Sequence, residues 1–198
     1  MLFFGHIGFT VGVARACEIL AANNNYAPDS SSRRARLSHW LKGAWNHLNA
    51  IDYRLVALGS LLPDIIDKPL WLLFGNDISL SGRDYAHTLL FNLLLLAAGL
   101  VLVQRRKPWL LVLSFSSFMH LVFDELWQVP ATLFWPLLGP LAAEERTHWF
   151  SNLIAALFSE PEVYIPESIG LLLLLVIGCQ ILARRRLVSF LKKGAIPQ

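Results

Sequence analysis

Three long apolar stretches limit what this chain can fold into. They are residues 86–104 (AHTLLFNLLLLAAGLVLVQ), 108–127 (PWLLVLSFSSFMHLVFDELW) and 167–183 (ESIGLLLLLVIGCQILA). Each is close to the roughly 20 residues that an α-helix needs to cross the hydrocarbon core of a bilayer. The composition agrees, because 55% of the 198 residues are hydrophobic, 16% are charged, and the mean hydropathy is +0.50. The sequence therefore predicts an all-α, polytopic membrane bundle.

Two weaker stretches, 2–22 and 54–75, are predicted as further spans. Their polar and proline residues are His6, Arg15 and Glu18 in the first, and Pro63, Asp64, Asp67 and Pro69 in the second. Such residues lower the hydropathy of a helix but suit one that faces the interior of a bundle. The expected result is a single domain over residues 1–198 with about five transmembrane helices.

The basic residues predict the orientation of these spans. They form the clusters Arg33-Arg34-Arg36, Arg105-Arg106-Lys107, Arg184-Arg185-Arg186 and Lys192-Lys193, each beside an apolar stretch. This is a topology signal rather than a footprint for nucleic acid, and the positive-inside rule places the clusters in the cytoplasm. We expect a multi-pass protein of the cytoplasmic membrane with its N-terminus outside and its C-terminus inside. Residues 23–53 would be a cytoplasmic amphipathic segment, and residues 129–166 an extracytoplasmic or interfacial segment of re-entrant or surface-lying helices.

This threading places metal-ligand side chains of several spans at one depth, near the extracytoplasmic face. The residues concerned are His6, Asp64, Asp67, His87, His120 and Asp124. Ionisable groups inside spans cost about 2.5–3.5 kcal/mol each on insertion scales, so several at one level indicate a site. The stretch FMHLVFDELWQ is the clearest case, because its His and Asp are four residues apart and share one face of a helix. Those two side chains could bind one metal ion or only each other.

Each remaining residue also has a simpler interpretation. His6 could be a hydrogen-bonded helix contact, and Asp64 could be the N-cap of a broken helix. Asp67 could pair only with Lys68 or Arg83. Taken together, however, imidazole and carboxylate groups in this pattern are the ligands that bind Zn²⁺, Mn²⁺ or Fe with positions left for water.

Such a site predicts hydrolysis by a metal-activated water. The sequence contains neither a GxSxG element nor a Walker A loop that would indicate another route. Whichever of Asp64 and Asp67 is not a strong ligand could accept the proton of the attacking water. Arg83 could bind two oxygens of a substrate phosphate, or could instead extend to the membrane interface.

Five motifs include most of the residues named above. They are GHIGFT near the start, GSLLPDIID at 59–67, RDYAHTLL at 83–90, MHLVFDELW, and FWPL at 134–137. Together they resemble a known family, the YdjM-type membrane-bound metal-dependent hydrolases. The resemblance covers most of residues 1–140. In the order of its ligands that family is distantly similar to the zinc-dependent phospholipase C and single-strand nuclease group, which is all-helical.

The resemblance implies a ligand set. One metal would be held by Asp64, His87, His120 and Asp124, and a second by His6, with Asp124 or Asp67 bridging. Zinc is the expected metal, with manganese or iron as alternatives. This chain lacks a further upstream His that many relatives carry, so one or two ions are expected. The third metal of the nuclease group would have only Glu144, Glu145 and His148 as candidates, and we interpret these as interfacial loop residues.

The site's expected depth points to a membrane lipid, or a substrate presented at the membrane, as the partner, with a phosphoester as the leading substrate class. No nucleic-acid partner is expected. The alternative from another class is a non-catalytic membrane protein that binds metal for structure or transports it.

Overall fold

The computed structural model describes residues 2–23, 51–78, 81–141 and 149–196, and within these ranges the chain is helical without β-strands. The helices are α1 (Phe3–Asn23), α2 (Tyr53–Ser60), α3 (Leu62–Ile78), α4 (Leu89–Gln104), α5 (Trp109–Phe123), α6 (Pro130–Leu133), α7 (Trp149–Ser159), α8 (Pro161–Ala183) and α9 (Leu187–Lys193), with a 3₁₀ turn at Leu126–Gln128. The predicted all-α bundle is confirmed. Most of the segment predicted to be amphipathic, residues 24–50, lies outside the described ranges.

Among the described residues, two helices are long and apolar enough to cross a membrane, namely α8 and the Phe3–Leu20 part of α1. The predicted stretches 86–104 and 108–127 form α4 and α5, which are apolar but shorter. On α8, large apolar side chains such as Leu172 and Leu175 are more than half exposed, as expected of a surface that faces lipid. These features fit a membrane-type bundle, whereas the five-span topology and its orientation stay predictions.

The stretch 54–75 differs from the single span that was predicted, because it forms two helices that meet at Leu61. Pro63 has no N–H to continue the hydrogen-bond ladder of α2, so that helix ends and a new one starts. A helix end leaves its last carbonyl groups without intrahelical partners. One of these, the carbonyl of Ser60, contributes to the site described below.

The C-terminal span also differs from the prediction, because α8 begins at Pro161 rather than at residue 167. Pro161 occupies the first turn, where its missing N–H costs no intrahelical bond. Pro166 lies within the helix and removes one such bond. Residues 161–166 therefore belong to the long helix α8, whereas α6 and α7 break up the chain between 129 and 159.

The contacts fix the relative directions of the helices. The start of α1 packs against the start of the apolar part of α8, so these two run parallel. In contrast, Asn92 bonds to Ser117 while Gly99 lies against Leu111, so α4 and α5 are antiparallel. Helix α2 runs with α5, since both end at the same place, where Ser60 meets His120.

Glycine permits the close crossing of α1 and α8. A Cβ placed on Gly170 would lie 2.2 Å from the carbonyl oxygen of Phe4, and one on Gly8 would lie 2.3 Å from that of Gly170. Small residues of this kind let helix backbones approach closely in membrane bundles, where packing replaces the hydrophobic effect as the cause of association. The crossing fixes the beginning of α1, which carries His6.

A buried carboxylate from α8 caps the beginning of α1. Glu167 accepts hydrogen bonds from the backbone N–H groups of Leu2 (2.7 Å), Phe4 (2.7 Å) and Gly5 (3.0 Å). These donors belong to the start of a helix and have no intrahelical partner, and a negative charge there is favoured by the helix dipole. These three hydrogen bonds stabilise the buried carboxylate of Glu167, and they fix the position of Gly5, the residue before His6.

The hydrophobic core lies toward the opposite end of α1. It contains Val11, Ala14, Ile51, Tyr53, Val56 and Ile196. The chain near the C-terminus completes it, because the Tyr53 N–H donates to the Gly194 carbonyl at 2.9 Å. Beside it, Asp52 caps α2, and its hydrogen bond to the Arg54 guanidinium lowers the pKa of that carboxyl below its usual value.

We expect Gly170→Ala to destabilise the protein, because the added methyl group would collide with the backbone of α1. Overpacking of this kind costs about 1–3 kcal/mol or more. Gly178→Ala is the matched control on the same helix, since a Cβ there meets no atom within 4 Å. Thermal unfolding in detergent would measure both. Equal unfolding midpoints in the two variants would contradict the close crossing.

We expect Glu167→Gln to destabilise α1, because the amide NH₂ group would face backbone donors instead of accepting from them. Leaving buried donors unsatisfied costs about 1–3 kcal/mol each. Glu162→Gln, at an exposed position of the same helix, serves as the control. Denaturation of the two purified variants should separate them, and similar curves would refute the capping role.

Candidate metal centre

Four segments bring the predicted polar residues together at one place in the bundle. Helix α1 supplies His6, α3 supplies Asp64 and Asp67, the loop before α4 supplies His87, and the end of α5 supplies His120 and Asp124. The three His side chains and Asp67 are completely buried, and the side chains of Asp64 and Asp124 are 15% and 3% exposed. The ligand atoms of two overlapping groups lie within 4.8 Å of one another: His6, His120 and Asp124, and Asp64, His87 and His120.

The backbone sets the tautomer of His120. Its Nδ1 lies 2.7 Å from the carbonyl oxygen of Ser60. Because a carbonyl oxygen only accepts hydrogen bonds, Nδ1 must carry the proton and donate it. In the neutral imidazole the other nitrogen, Nε2, then presents a lone pair, which is the form that binds metal ions.

A carboxylate sets the tautomer of His87 in the same way. Its Nδ1 lies 2.7 Å from Oδ2 of Asp67. The Asp67 carboxylate also accepts the backbone N–H groups of Asp84, Ala86 and His87 itself, at 2.8 to 3.2 Å. Because both oxygens of this carboxylate act as acceptors, Nδ1 of His87 donates and its Nε2 is left with a lone pair.

The two Nε2 atoms thus selected face each other at 3.2 Å. Two lone pairs at this distance repel unless a cation, either a proton or a metal ion, lies between them. Two nitrogen ligands of one tetrahedral zinc ion, each about 2.0–2.1 Å from the metal, lie roughly 3.3 Å apart. The spacing of His87 and His120 therefore suits one metal ion.

A carboxylate completes this group. Oδ1 of Asp64 lies 3.6 Å from Nε2 of His87 and 3.9 Å from Nε2 of His120. Its other oxygen is held by Lys68, whose Nζ lies 2.6 Å from Oδ2. Asp64 is therefore oriented with one oxygen toward both imidazoles, and the three ligand atoms converge on one point.

Asp124 connects this group to His6. Its Oδ2 lies 3.8 Å from Nε2 of His120, and its Oδ1 lies 3.0 Å from Nε2 of His6. The rings of His6 and His120 are stacked, with centroids 4.0 Å apart and planes inclined by 18°. The ligand atoms of His6, His120 and Asp124 all lie within 4.8 Å of one another, so these three side chains could also hold an ion. His6 and Asp124 can therefore serve a second, adjacent position, with Asp124 between the two.

Asp67 occupies a different place from the ligands. Its hydrogen bonds are to His87 and to the loop that precedes α4, whereas Lys68 pairs with Asp64 and Arg83 with Asp124. The same loop is organised by a second buried carboxylate, Asp84, which accepts the backbone N–H groups of Ser81 and Gly82. Two carboxylates thus hold the loop that carries His87.

Arg83 lies at the border of the site. Its Nε is 3.3 Å from Oδ2 of Asp124, and half of its side chain is exposed. The guanidinium therefore touches the buried carboxylate on one side and remains accessible on the other. A planar group with several donors in this position can bind an anion that approaches the site.

The segment that follows Asp124 exposes several large apolar side chains. Trp127, Phe134 and Leu137 are 58%, 40% and 84% exposed, and the ring of Trp135 packs edge-on against Tyr85. Aromatic side chains of this kind are common where a protein meets the interface of a membrane. The candidate third-metal residues Glu144, Glu145 and His148 lie outside the described residues.

Sequence reasoning missed three groups that build the site. The carbonyl of Ser60 could not be recognised from the sequence, because every residue has a backbone carbonyl. Pro63 nevertheless indicates that a nearby carbonyl would lack a hydrogen-bond partner within the helix. Asp84 was visible as a carboxylate close to His87. Glu167 was visible as a charge at the start of an apolar helix, which is a sign of a buried partner.

Comparison with known proteins identifies the family. The family described as YdjM inner membrane protein matches residues 1–188. No curated protein and no solved structure matches the chain. The match covers all of the residues that form the candidate metal centre. The chain therefore belongs to the YdjM inner membrane protein family.

Proposed function

We propose that this protein is a membrane-embedded hydrolase that uses one or two divalent metal ions, with zinc the leading candidate, to cleave a phosphoester of a lipid. One observation carries the proposal: the Nε2 atoms of His87 and His120 face each other at 3.2 Å with both Nδ1 protons engaged elsewhere. Asp64 and Asp124 add oxygen ligands around them. Mixed nitrogen and oxygen ligands of this kind are typical of catalytic zinc sites.

A divalent metal held there would activate a water molecule and polarise a phosphoryl oxygen. Asp64, His87, His120 and Asp124 would hold the first ion, and His6 with Asp124 the second. Asp67 positions His87 by fixing its tautomer, so it is poorly suited to be the proton acceptor that the sequence suggested. Asp64 is engaged as well, with one oxygen toward the imidazoles and the other held by Lys68, so it serves as a ligand and not as the proton acceptor.

Arg83 would bind the substrate phosphate. Its guanidinium is half exposed and already lies next to Asp124, so an anion bound to its free side would be close to the metal ligands. The exposed apolar side chains beside the site, among them Trp127 and Leu137, support a substrate that resides in the membrane. A lipid with a phosphorylated headgroup combines both properties.

We expect His120→Ala and Asp124→Asn to lose bound metal. Elemental analysis of the detergent-purified protein, at matched folded yield, should find a transition metal near stoichiometry in the wild type and little in either variant. Glu125→Gln is the matched control, because this neighbouring carboxylate is exposed and bonds to Gln128 instead. Glu125→Gln should retain the wild-type metal content.

Two results would count against the proposal. A wild type that binds neither Zn²⁺ nor Mn²⁺ after reconstitution would mean that a shared proton separates the imidazoles. Full metal content without release of phosphate from phospholipids or polyprenyl phosphates would indicate a structural metal site, since such a site is closed by protein ligands.

We expect Asp67→Asn to weaken metal binding by about 10–100-fold, the effect typical of removing a carboxylate that orients a metal-bound His. The amide cannot accept both the His87 proton and the loop N–H groups. Competition with a metal chelator would measure the affinity, again with Glu125→Gln as the control. An unchanged affinity would contradict the positioning role of Asp67.

A further inference from the structure

A cavity of about 410 Å³ lies within the bundle, between α1, α2, α4 and α5. Its wall is almost entirely apolar, with Ala14, Val56, Leu96, Leu111 and Phe118 among the lining residues. The volume is in the range of about 300–1,000 Å³ that is usual for ligand sites. An apolar cavity of this kind does not hold water well, because water needs two to four polar partners.

The cavity approaches the metal centre at Asn92, which lines it and bonds to the backbone on both sides of His87. Ser117, which also bonds to Asn92, lies one helical turn before His120. Leu96 and Leu111 line it further along the antiparallel helices α4 and α5. From Leu89 to Leu96 the distance along a helix is about 10 Å. A molecule in the cavity could therefore have one end close to the metal ligands and the other deep in the bundle.

A polar residue joins the wall of the cavity to the site. Asn92 donates from Nδ2 to the carbonyls of Ala86 and Thr88, at 3.3 and 3.0 Å, and accepts from Ser117 at 2.8 Å. These bonds engage the amide within the protein, so the wall presents mainly hydrocarbon to a ligand. They also hold both sides of His87.

The rim of the cavity is continuous with the exposed apolar surface of α4 and α5. Leu93, Leu96, Phe115 and Phe118 line the cavity and are also 38–52% exposed. In a membrane protein such a surface faces hydrocarbon chains, so a lipid chain could enter from the side without crossing water.

We propose that this cavity binds one acyl chain of the lipid substrate and thereby holds its phosphorylated headgroup at the metal centre. The choice of a substrate lipid rests on the proposed function. The binding of the chain follows from the apolar wall, the exposed rim and the position beside His87 and His120.

The test uses vesicles of phosphatidylethanolamine and phosphatidylglycerol that contain a phospholipid with a photoreactive diazirine near the end of one acyl chain. After illumination of the reconstituted full-length protein, mass spectrometry would locate the labelled residues. We expect labelling around Leu96, Leu111 and Val112 to exceed that on the outer face of α8, at Leu172 and Leu175, several-fold.

Ala14→Phe should fill the cavity and reduce this labelling several-fold. Ala16→Phe is the matched control, because Ala16 is exposed on the same helix. Because Ala14 is buried in the core, Ala14→Phe could misfold, so a second pair of variants is needed. Leu96→Trp changes the rim of the cavity, and Leu94→Trp, at an exposed position outside the lining, is its control. All four variants should keep the wild-type metal content.

Labelling spread evenly over the exposed apolar surface, or unchanged in both filled variants, would overturn the proposal. It would assign the cavity to another occupant, such as residues 24–50 of the same chain.

The acyl-chain proposal and the hydrolase proposal can be refuted independently of each other. Cavity labelling in a protein that binds no metal would refute the hydrolase and keep the acyl-chain site, whereas metal-dependent hydrolysis without cavity labelling would do the reverse. His120→Ala should lose metal but keep the labelling.

Discussion

Two hydrogen bonds, from Nδ1 of His120 to the Ser60 carbonyl and from Nδ1 of His87 to Asp67, determine what this bundle can do. Each uses up the proton of one imidazole and leaves the opposite nitrogen with a lone pair. Because the two lone pairs face each other at 3.2 Å and carboxylates lie around them, these residues could hold a metal ion. The rest of the fold can be understood from what keeps these two bonds in place.

Each bond depends on an irregularity in the helices. The Ser60 carbonyl is available because Pro63 ends α2, and Asp67 can reach the loop before α4 because a new helix begins at Leu62. On the other side of the site, the Gly8–Gly170 crossing and the Glu167 cap fix the start of α1, and so the position of His6. A buried glutamate is costly inside a transmembrane helix and a proline interrupts its hydrogen bonds, and here both help to position the His and Asp side chains of the site.

Much of this could be predicted from the sequence, because apolar length and ligand spacing are local properties. The all-α bundle follows from the apolar stretches, and HxxxD places His120 and Asp124 on one helical face. The break at Leu61 and the start of α8 at Pro161 were missed, since a proline can end, bend or begin a helix depending on its neighbours. The role of Asp67 was also open, because a carboxylate that binds a metal and one that orients a histidine look alike in sequence.

The sequence by itself determined that the chain is an all-α protein of membrane type. It also determined that His and Asp side chains lie within its apolar stretches. Those properties depend on composition and on spacing within single helices. Only the tertiary structure decided which nitrogen of His87 and of His120 is left with a lone pair, that His6 stacks on His120, and that an apolar cavity lies beside the helices that carry the site. These features depend on contacts between residues far apart in the chain, such as Ser60 with His120, and no local pattern encodes such a contact.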